Sequence, residues 1–190
     1  MSHQAAIAIL GAGPSGLTVA RLLTVKNIPY KIYDRDTSPA GSGLSQGGTL
    51  DIRTEGGQLA LRECGLFDQF QAVARYEGQA FRAFDKDGQV IWDKGAEGRD
   101  EMPEIDRRVL RDLLLGSVPE GNVRWGMKVE EIFRGGDGKM AVRFADGGVE
   151  TGFGLVVGAD GAWSKTRTLV SIRHTTSLAQ HTQADHGYPS

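Results

Sequence analysis

The hexapeptide Gly11-Ala12-Gly13-Pro14-Ser15-Gly16 constrains this chain more than any other segment. It stands between a short apolar run, Ala5 to Leu10, and a stretch from Pro14 to Lys26 that reads as a helix. The length of the run and its abrupt glycine stop predict a buried strand, and proline is tolerated in a first helical turn. A G-x-G-x-x-G at a strand-to-helix junction meets three physical needs. Gly11 permits a tight turn, Gly13 lacks a Cβ and lets a pyrophosphate approach the backbone, and Gly16 lets helix and strand pack closely. The helix N-terminus adds unpaired N–H groups and the positive end of a dipole. Tyr30 to Asp34 predicts a second strand, and the resulting βαβ crossover implies parallel pairing. Asp34 closes that strand 18 residues after Gly16, where an acid that binds ribose hydroxyls belongs. Asp36, in the following turn, is its competitor. The favoured ligand is an adenine dinucleotide; the fingerprint alone does not separate FAD from NAD(P).

The helix from Pro14 carries Leu17, Val19, Ala20, Leu22, Leu23 and Val25, leaving Thr18 and Arg21 as a thin polar stripe, so it is expected to pack on more than one side. The chain has 27 glycines in 190 residues, about twice the usual roughly 7%. They are not periodic, which excludes collagen, and they cluster at turns between apolar runs. A single cysteine, Cys64, excludes an internal disulfide framework and a cysteine-cluster metal site; its place on an apolar helix end predicts a core residue. A formal net charge of -2 offers no electrostatic case for nucleic acid. No apolar run approaches the roughly 20 residues of a membrane span. Met1-Ser2-His3-Gln4 lacks the basic start of a signal peptide, so a cytoplasmic location is expected.

Further along, Gln58 to Cys64 reads as a short helix stopped by Gly65, with Leu66 to Ala74 continuing helically. Ala80 to Trp92 reads as a hairpin turning at Asp85-Lys86-Asp87-Gly88. Its aromatics Phe81, Phe84 and Trp92 suit either a pocket wall or sheet packing. Asp106 is placed to cap a helix from Arg107 to Leu115 with Leu110, Leu113 and Leu114 on one face. Lys128 to Phe133 and Met140 to Phe144 read as strands around a glycine turn, and Leu155 to Ala159 as another strand, ending in Asp160-Gly161. Residues 1–170 are expected to form the folded unit and 171–190 a polar tail. The tail holds His174, His181 and His186, and its composition favours flexible chain over a zinc site.

Asp160-Gly161-Ala162-Trp163-Ser164-Lys165-Thr166-Arg167 resembles the D-G-x-x-S-x-x-R fingerprint of FAD-dependent monooxygenases of the aromatic-hydroxylase class. Gly47-Gly48-Thr49-Leu50-Asp51, then Gly57-Gln58, Cys64-Gly65-Leu66 and Pro103-Glu104-Ile105-Asp106-Arg107 with Leu110-Arg111, resemble the tetracycline-inactivating branch. The resemblance runs in order from about Ala5 to Arg167. It implies an α/β, Rossmann-like FAD-binding fold with a mainly parallel sheet and an antiparallel segment. It also implies FAD as cofactor, NADPH or NADH as co-substrate, and hydroxylation of a small aromatic or polyketide-like metabolite.

By the same resemblance Gly11, Gly13 and Gly16 approach the phosphates, Asp34 holds the adenosine ribose, and Asp51 lies beside the flavin. Arg107 reaches the phosphate or ribitol side, with Arg111 one helical turn further on; a solvated basic face is their bland alternative. Asp160 caps the next helix or joins the cofactor rim. No catalytic base is identified. Leu44 stands where the tetracycline branch carries arginine, and the family's second fingerprint, Gly-Asp followed by Ala-His, is not found. The chain is therefore expected to represent only the front portion of such an enzyme. The other reading is a residual module that binds a nucleotide or a partner without turnover.

Overall fold

The computed structural model describes residues 6–40, 47–76, 81–94 and 102–170. In chain order its elements are β1 (Ile7–Leu10), α1 (Pro14–Val25), β2 (Tyr30–Tyr33), β3 (Thr49–Asp51), α2 (Leu59–Glu63), α3 (Phe67–Val73), β4 (Phe81–Phe84), β5 (Val90–Lys94), β6 (Glu104–Asp106), α4 (Arg107–Leu115), β7 (Val123–Arg124), β8 (Val129–Arg134), β9 (Met140–Phe144), β10 (Val149–Phe153), β11 (Leu155–Gly158) and α5 (Arg167–Val170). A parallel sheet runs in the order β11-β1-β2-β7, and an antiparallel sheet in the order β10-β9-β8. Two further antiparallel ladders join β3 to β6 and β4 to β5. The α/β architecture implied by the sequence is the one observed.

The apolar run of β1 has no polar face because neither side of the parallel sheet meets water there. Ile9 and Ile32 point into a core shared with Leu17, Ala20, Cys64, Phe70, Leu110 and Leu114 from the helices. Ala8, Leu10 and Tyr33 point the other way, onto Ile132, Val142, Phe144 and Phe153 of the antiparallel sheet. The result is three layers, helices on one face and a second sheet on the other, so the central strands lose the alternation of a half-exposed strand. Tyr33 sits with its ring centroid 5.0 Å from that of Phe144 and 6.1 Å from that of Phe153, the latter edge-on. Offset and edge-on pairs of this kind add about 0.5–1.5 kcal/mol to the burial of the rings themselves.

Helix ends follow local chemistry. α1 stops where Asn27 adopts φ 55°, with Asn27 N–H donating to Thr24 O and Ile28 N–H to Leu23 O. Gly65, at φ 66°, ends α2 in the same way through Arg62 O and Leu61 O. Both are left-handed C-terminal caps, tolerated by Asn and Gly because their steric penalty is small.

The helical stretch expected after the Gly65 stop is observed as α3, with Leu66 at its N-cap and Ala74 at its C-cap. Three expectations are corrected. A π-helical turn, Thr54–Gln58, leads into α2, so the helical stretch begins before Gln58. β10 follows the Asp146-Gly147-Gly148 turn where no strand is expected, because Glu150 and Thr151 hide its pattern. Asp106 holds the N-cap position of α4 without a side-chain cap; its carboxylate accepts instead from Arg75 at 3.1 Å. The expected tail 171–190 with its three histidines, and Leu44, lie outside the described residues. Among those residues no helix is long and apolar enough to cross a membrane, and no cluster could hold a metal.

Phe144 is the most direct test of the sheet-on-sheet layer. Phe144→Ala, at a side chain only 1% exposed, is expected to lower unfolding free energy by about 3–5 kcal/mol in urea denaturation. Val149→Ala, on a half-exposed position of the same sheet, is expected to stay within about 0.5 kcal/mol.

Candidate cofactor site

Three backbone segments meet at the end of β1. Gly11 leaves the strand at φ 109°, and a Cβ there would meet the Ala159 carbonyl oxygen at 2.3 Å. A Cβ on Gly16 would meet the Gly11 carbonyl oxygen at 2.0 Å. Both positions exclude any side chain. Gly13 is different: nothing lies within 4 Å of its Cβ position. The first and third glycines of the motif thus serve packing, and the second opens onto space.

That space is a cavity of about 500 Å3, lined by Gly11, Gly13, Asp34, Arg107 and Asp160 together with Tyr33, Arg35, Lys128, Trp163 and Lys165. Its size is within the usual range for small-molecule and cofactor sites, roughly 300–1,000 Å3. Gly13 is the N-cap of α1, makes no side-chain cap bond, and is followed by Pro14 in the first turn. The first N–H groups of the helix are therefore available to a ligand. Arg35, Arg107, Lys128 and Lys165 bring four cations to the cavity, and none forms an ion pair among the described residues. An anion at the helix N-terminus is stabilised both by these charges and by the dipole. The residues present fit the pyrophosphate of an adenine dinucleotide: the glycine without Cβ contacts, the open helix end and four cations, set against the carboxylates of Asp34, Asp36 and Asp160, coincide.

Asp34 is tied into the turn. Its Oδ2 accepts from Ala12 N–H at 2.5 Å and its Oδ1 from Asp36 N–H at 2.8 Å. Each carboxylate oxygen retains lone-pair capacity for a ribose hydroxyl. Asp36, the competitor, also borders the cavity but is buried, with its Oδ2 3.4 Å from Arg111 Nη2. Asp160 caps the segment that follows β11: its Oδ2 accepts from Lys165 N–H at 2.6 Å and from Thr166 N–H at 3.2 Å. Burial pushes the Asp160 carboxyl up, but hydrogen bonds from Ser164, Thr166 and Lys165 outweigh it and hold the pKa below its ordinary value. A carboxylate held toward its charged form by these hydrogen bonds suits a wall that also carries cations. Trp163, in the same fingerprint, is 88% exposed at the cavity.

Arg107 reaches the cavity because the β3–β6 ladder delivers it there. Thr49 pairs with Asp106, and Arg107 N–H donates to Gly48 O at 3.0 Å, so the Gly47-Gly48 turn and the start of α4 arrive together. Asp51 is carried along β3 to face Glu104 and is exposed, outside this cavity. Arg111 also lies outside it, buried beneath Ala12; the turn of α4 that presents Arg107 to the cavity faces Arg111 into the protein. Gly16 stands behind the turn. Cys64 is in the helix-side core, where burial pushes its thiol up.

Sequence reasoning missed Tyr33, Arg35 and Lys128 in the lining. Arg35 directly follows Asp34 and was within reach of the motif; Lys128 arrives only through the packing of the second sheet and left no local signal. The Tyr33 hydroxyl is pushed up to about 12 by burial and by the Glu150 charge, against the pull of Arg124, so it remains a neutral donor at ordinary pH.

A model of the family FAD binding domain matches residues 4–185. The chain belongs to that family. Monooxygenase asqM of Emericella nidulans is 38% identical over 177 residues, which span 86% of this chain and 40% of the relative. A Photorhabdus luminescens protein assigned as a FAD-containing monooxygenase superposes with a TM-score of 0.72 at 26% identity, covering 86% of this chain and 41% of that one. The tetracycline destructase Tet(51) superposes with a TM-score of 0.62 at 25% identity, covering 86% and 40%. The chain thus spans about 40% of the length of the curated relatives it matches. These likenesses bear out the resemblance to FAD-dependent monooxygenases, with tetracycline destructases among the structural neighbours.

The glycines separate packing from binding. Gly13→Val is expected to fold with stability close to the parent, since its φ of −78° suits any residue and no atom blocks the Cβ. Gly16→Val is expected to abolish cooperative thermal unfolding. Only Gly13→Val should yield a folded chain that fails to quench FAD fluorescence in a titration.

Proposed function

We propose that this chain holds FAD in the cavity at the end of β1, in an oxidoreductase that uses NAD(P)H and dioxygen to hydroxylate a small aromatic or polyketide-like metabolite. The observation that carries the reading is the convergence of the open Gly13 backbone, the uncapped α1 N-terminus and four cations on one cavity. The names of the relatives support the class of reaction, and the substrate follows from the family resemblance.

In this reading Gly13 and the first turn of α1 would receive the pyrophosphate, and Asp34 would accept from the adenosine ribose. Arg107 would stand at the phosphate or ribitol side, and Asp160 would keep the rim charged and ordered. Asp51, an exposed carboxylate without an ion pair among the described residues, is assigned to the flavin side. The chemistry supplied by FAD when bound is two-electron transfer from NAD(P)H and activation of dioxygen. The chain's own residues bind, orient and shield it from water.

FAD titration of the 190-residue chain, followed by NADPH oxidation with candidate phenols, tests this reading. The expected result is stoichiometric yellow complex, with Arg107→Ala weakening FAD about 10-fold or more through loss of one charge-assisted hydrogen bond. A chain that takes up no FAD overturns the reading. Uptake without substrate-dependent NADPH oxidation or product would favour a nucleotide-binding module instead.

A further inference from the structure

Arg111 is only 6% exposed, and a buried guanidinium is costly unless its donors are satisfied. Here they are spent on the β1–α1 turn and on the loop that follows β2. Nε donates to the Ala12 carbonyl at 2.9 Å, Nη1 to the Pro39 carbonyl at 2.8 Å, and Nη2 meets Asp36 Oδ2 at 3.4 Å. The guanidinium carbon lies 5.5 Å from the centroid of the Trp125 ring.

These contacts close a circuit. Asp36 N–H donates to Asp34 Oδ1, and Asp34 Oδ2 accepts from Ala12 N–H. Asp36 O in turn accepts from Gly126 N–H at 2.6 Å. Ala12 is therefore gripped at both of its polar backbone atoms, its N–H by Asp34 and its C=O by Arg111. In a trans peptide the C=O of one residue and the N–H of the next point in opposite directions. Drawing the Ala12 carbonyl toward α4 turns the Gly13 N–H the other way. Gly13 lines the cavity and Arg111 does not.

We propose that Arg111 is a positioning residue that aims the Gly13 N–H at a pyrophosphate oxygen, with Asp36 holding the guanidinium in place. The ligand in this proposal rests on the FAD reading above; the orientation of the loop does not. Because Asp36 neutralises Arg111, the contribution is directional rather than a long-range attraction for anions. A lysine, a point charge without the planar fork, does not reproduce it.

The experiment compares parent, Arg111→Met, Arg111→Lys and Asp36→Asn as 190-residue chains. Amide hydrogen exchange is followed without ligand, and binding of FAD, ADP and adenosine by calorimetry. Exchange in residues 11–16 is expected to quicken about 10-fold in Arg111→Met while β1 and β9 keep their protection, and Arg111→Lys should not restore it. FAD and ADP should weaken on the order of 10- to 100-fold, and adenosine, which has no phosphate, by less than about two-fold. If Arg111→Met does not fold, Asp36→Asn should give the same pattern at smaller amplitude. Unchanged loop exchange, or equal weakening of all three ligands, overturns the proposal. A parent chain that binds neither FAD nor ADP overturns the FAD reading instead, and the ligand-free exchange still decides the orientation of the loop.

Discussion

The structure depends on how closely three backbones approach at the end of β1. A methyl group at Gly16 would be driven into the Gly11 carbonyl at 2.0 Å, and one at Gly11 into the Ala159 carbonyl at 2.3 Å. Strand, helix and the end of the returning strand β11 are thus fastened with only the Ala159 methyl beside the Gly16 position. That closeness places the N-terminus of α1 at the C-terminal end of the inner strand β1, and it brings the Asp160 segment to the same cavity. Close backbone packing at a βα turn is what the motif provides in general terms; here it also joins the two fingerprints that lie almost 150 residues apart in the chain.

Around this junction the polar groups divide their work. Asp34, Asp36 and Arg111 form an inward set that bonds to the backbone around the turn and to one another, Asp34 and Asp36 also bordering the cavity; Arg35, Arg107, Lys128 and Lys165 form an outward set that lines it without ion pairs among the described residues. The inward set gives the loop its shape before any ligand arrives, and the outward set gives the cavity its sign. Preorganised donors are effective because no reorganisation has to be paid when an anion enters.

Much of this was legible because it is local. The βαβ unit, the capping role of Gly65 and the hairpin turn ending in Gly88 follow from short-range apolar period and glycine placement. Asp34 was legible by its spacing from Gly16. Other features were not, and for identifiable reasons. β10 carries a glutamate, a threonine and a glycine, so its apolar side shows only at Phe153. Arg111 reads as part of a basic helix face with Arg107 and Arg108, since nothing local reveals that it meets Asp36 and Ala12 across 75 and 99 residues. The side preference of Asp106 was likewise decided by Arg75, a partner distant in sequence.

The central claim is that the Gly11–Gly16 turn is a preformed cradle for a pyrophosphate. A crystal structure of the chain grown with ADP tests it most directly. The account predicts the diphosphate against the Gly13 N–H and the first turn of α1, with the loop backbone unmoved and the Ala12 carbonyl still on Arg111. Diphosphate bound elsewhere on the chain, or a loop whose Ala12–Gly13 peptide has turned over to bind it, would contradict the account.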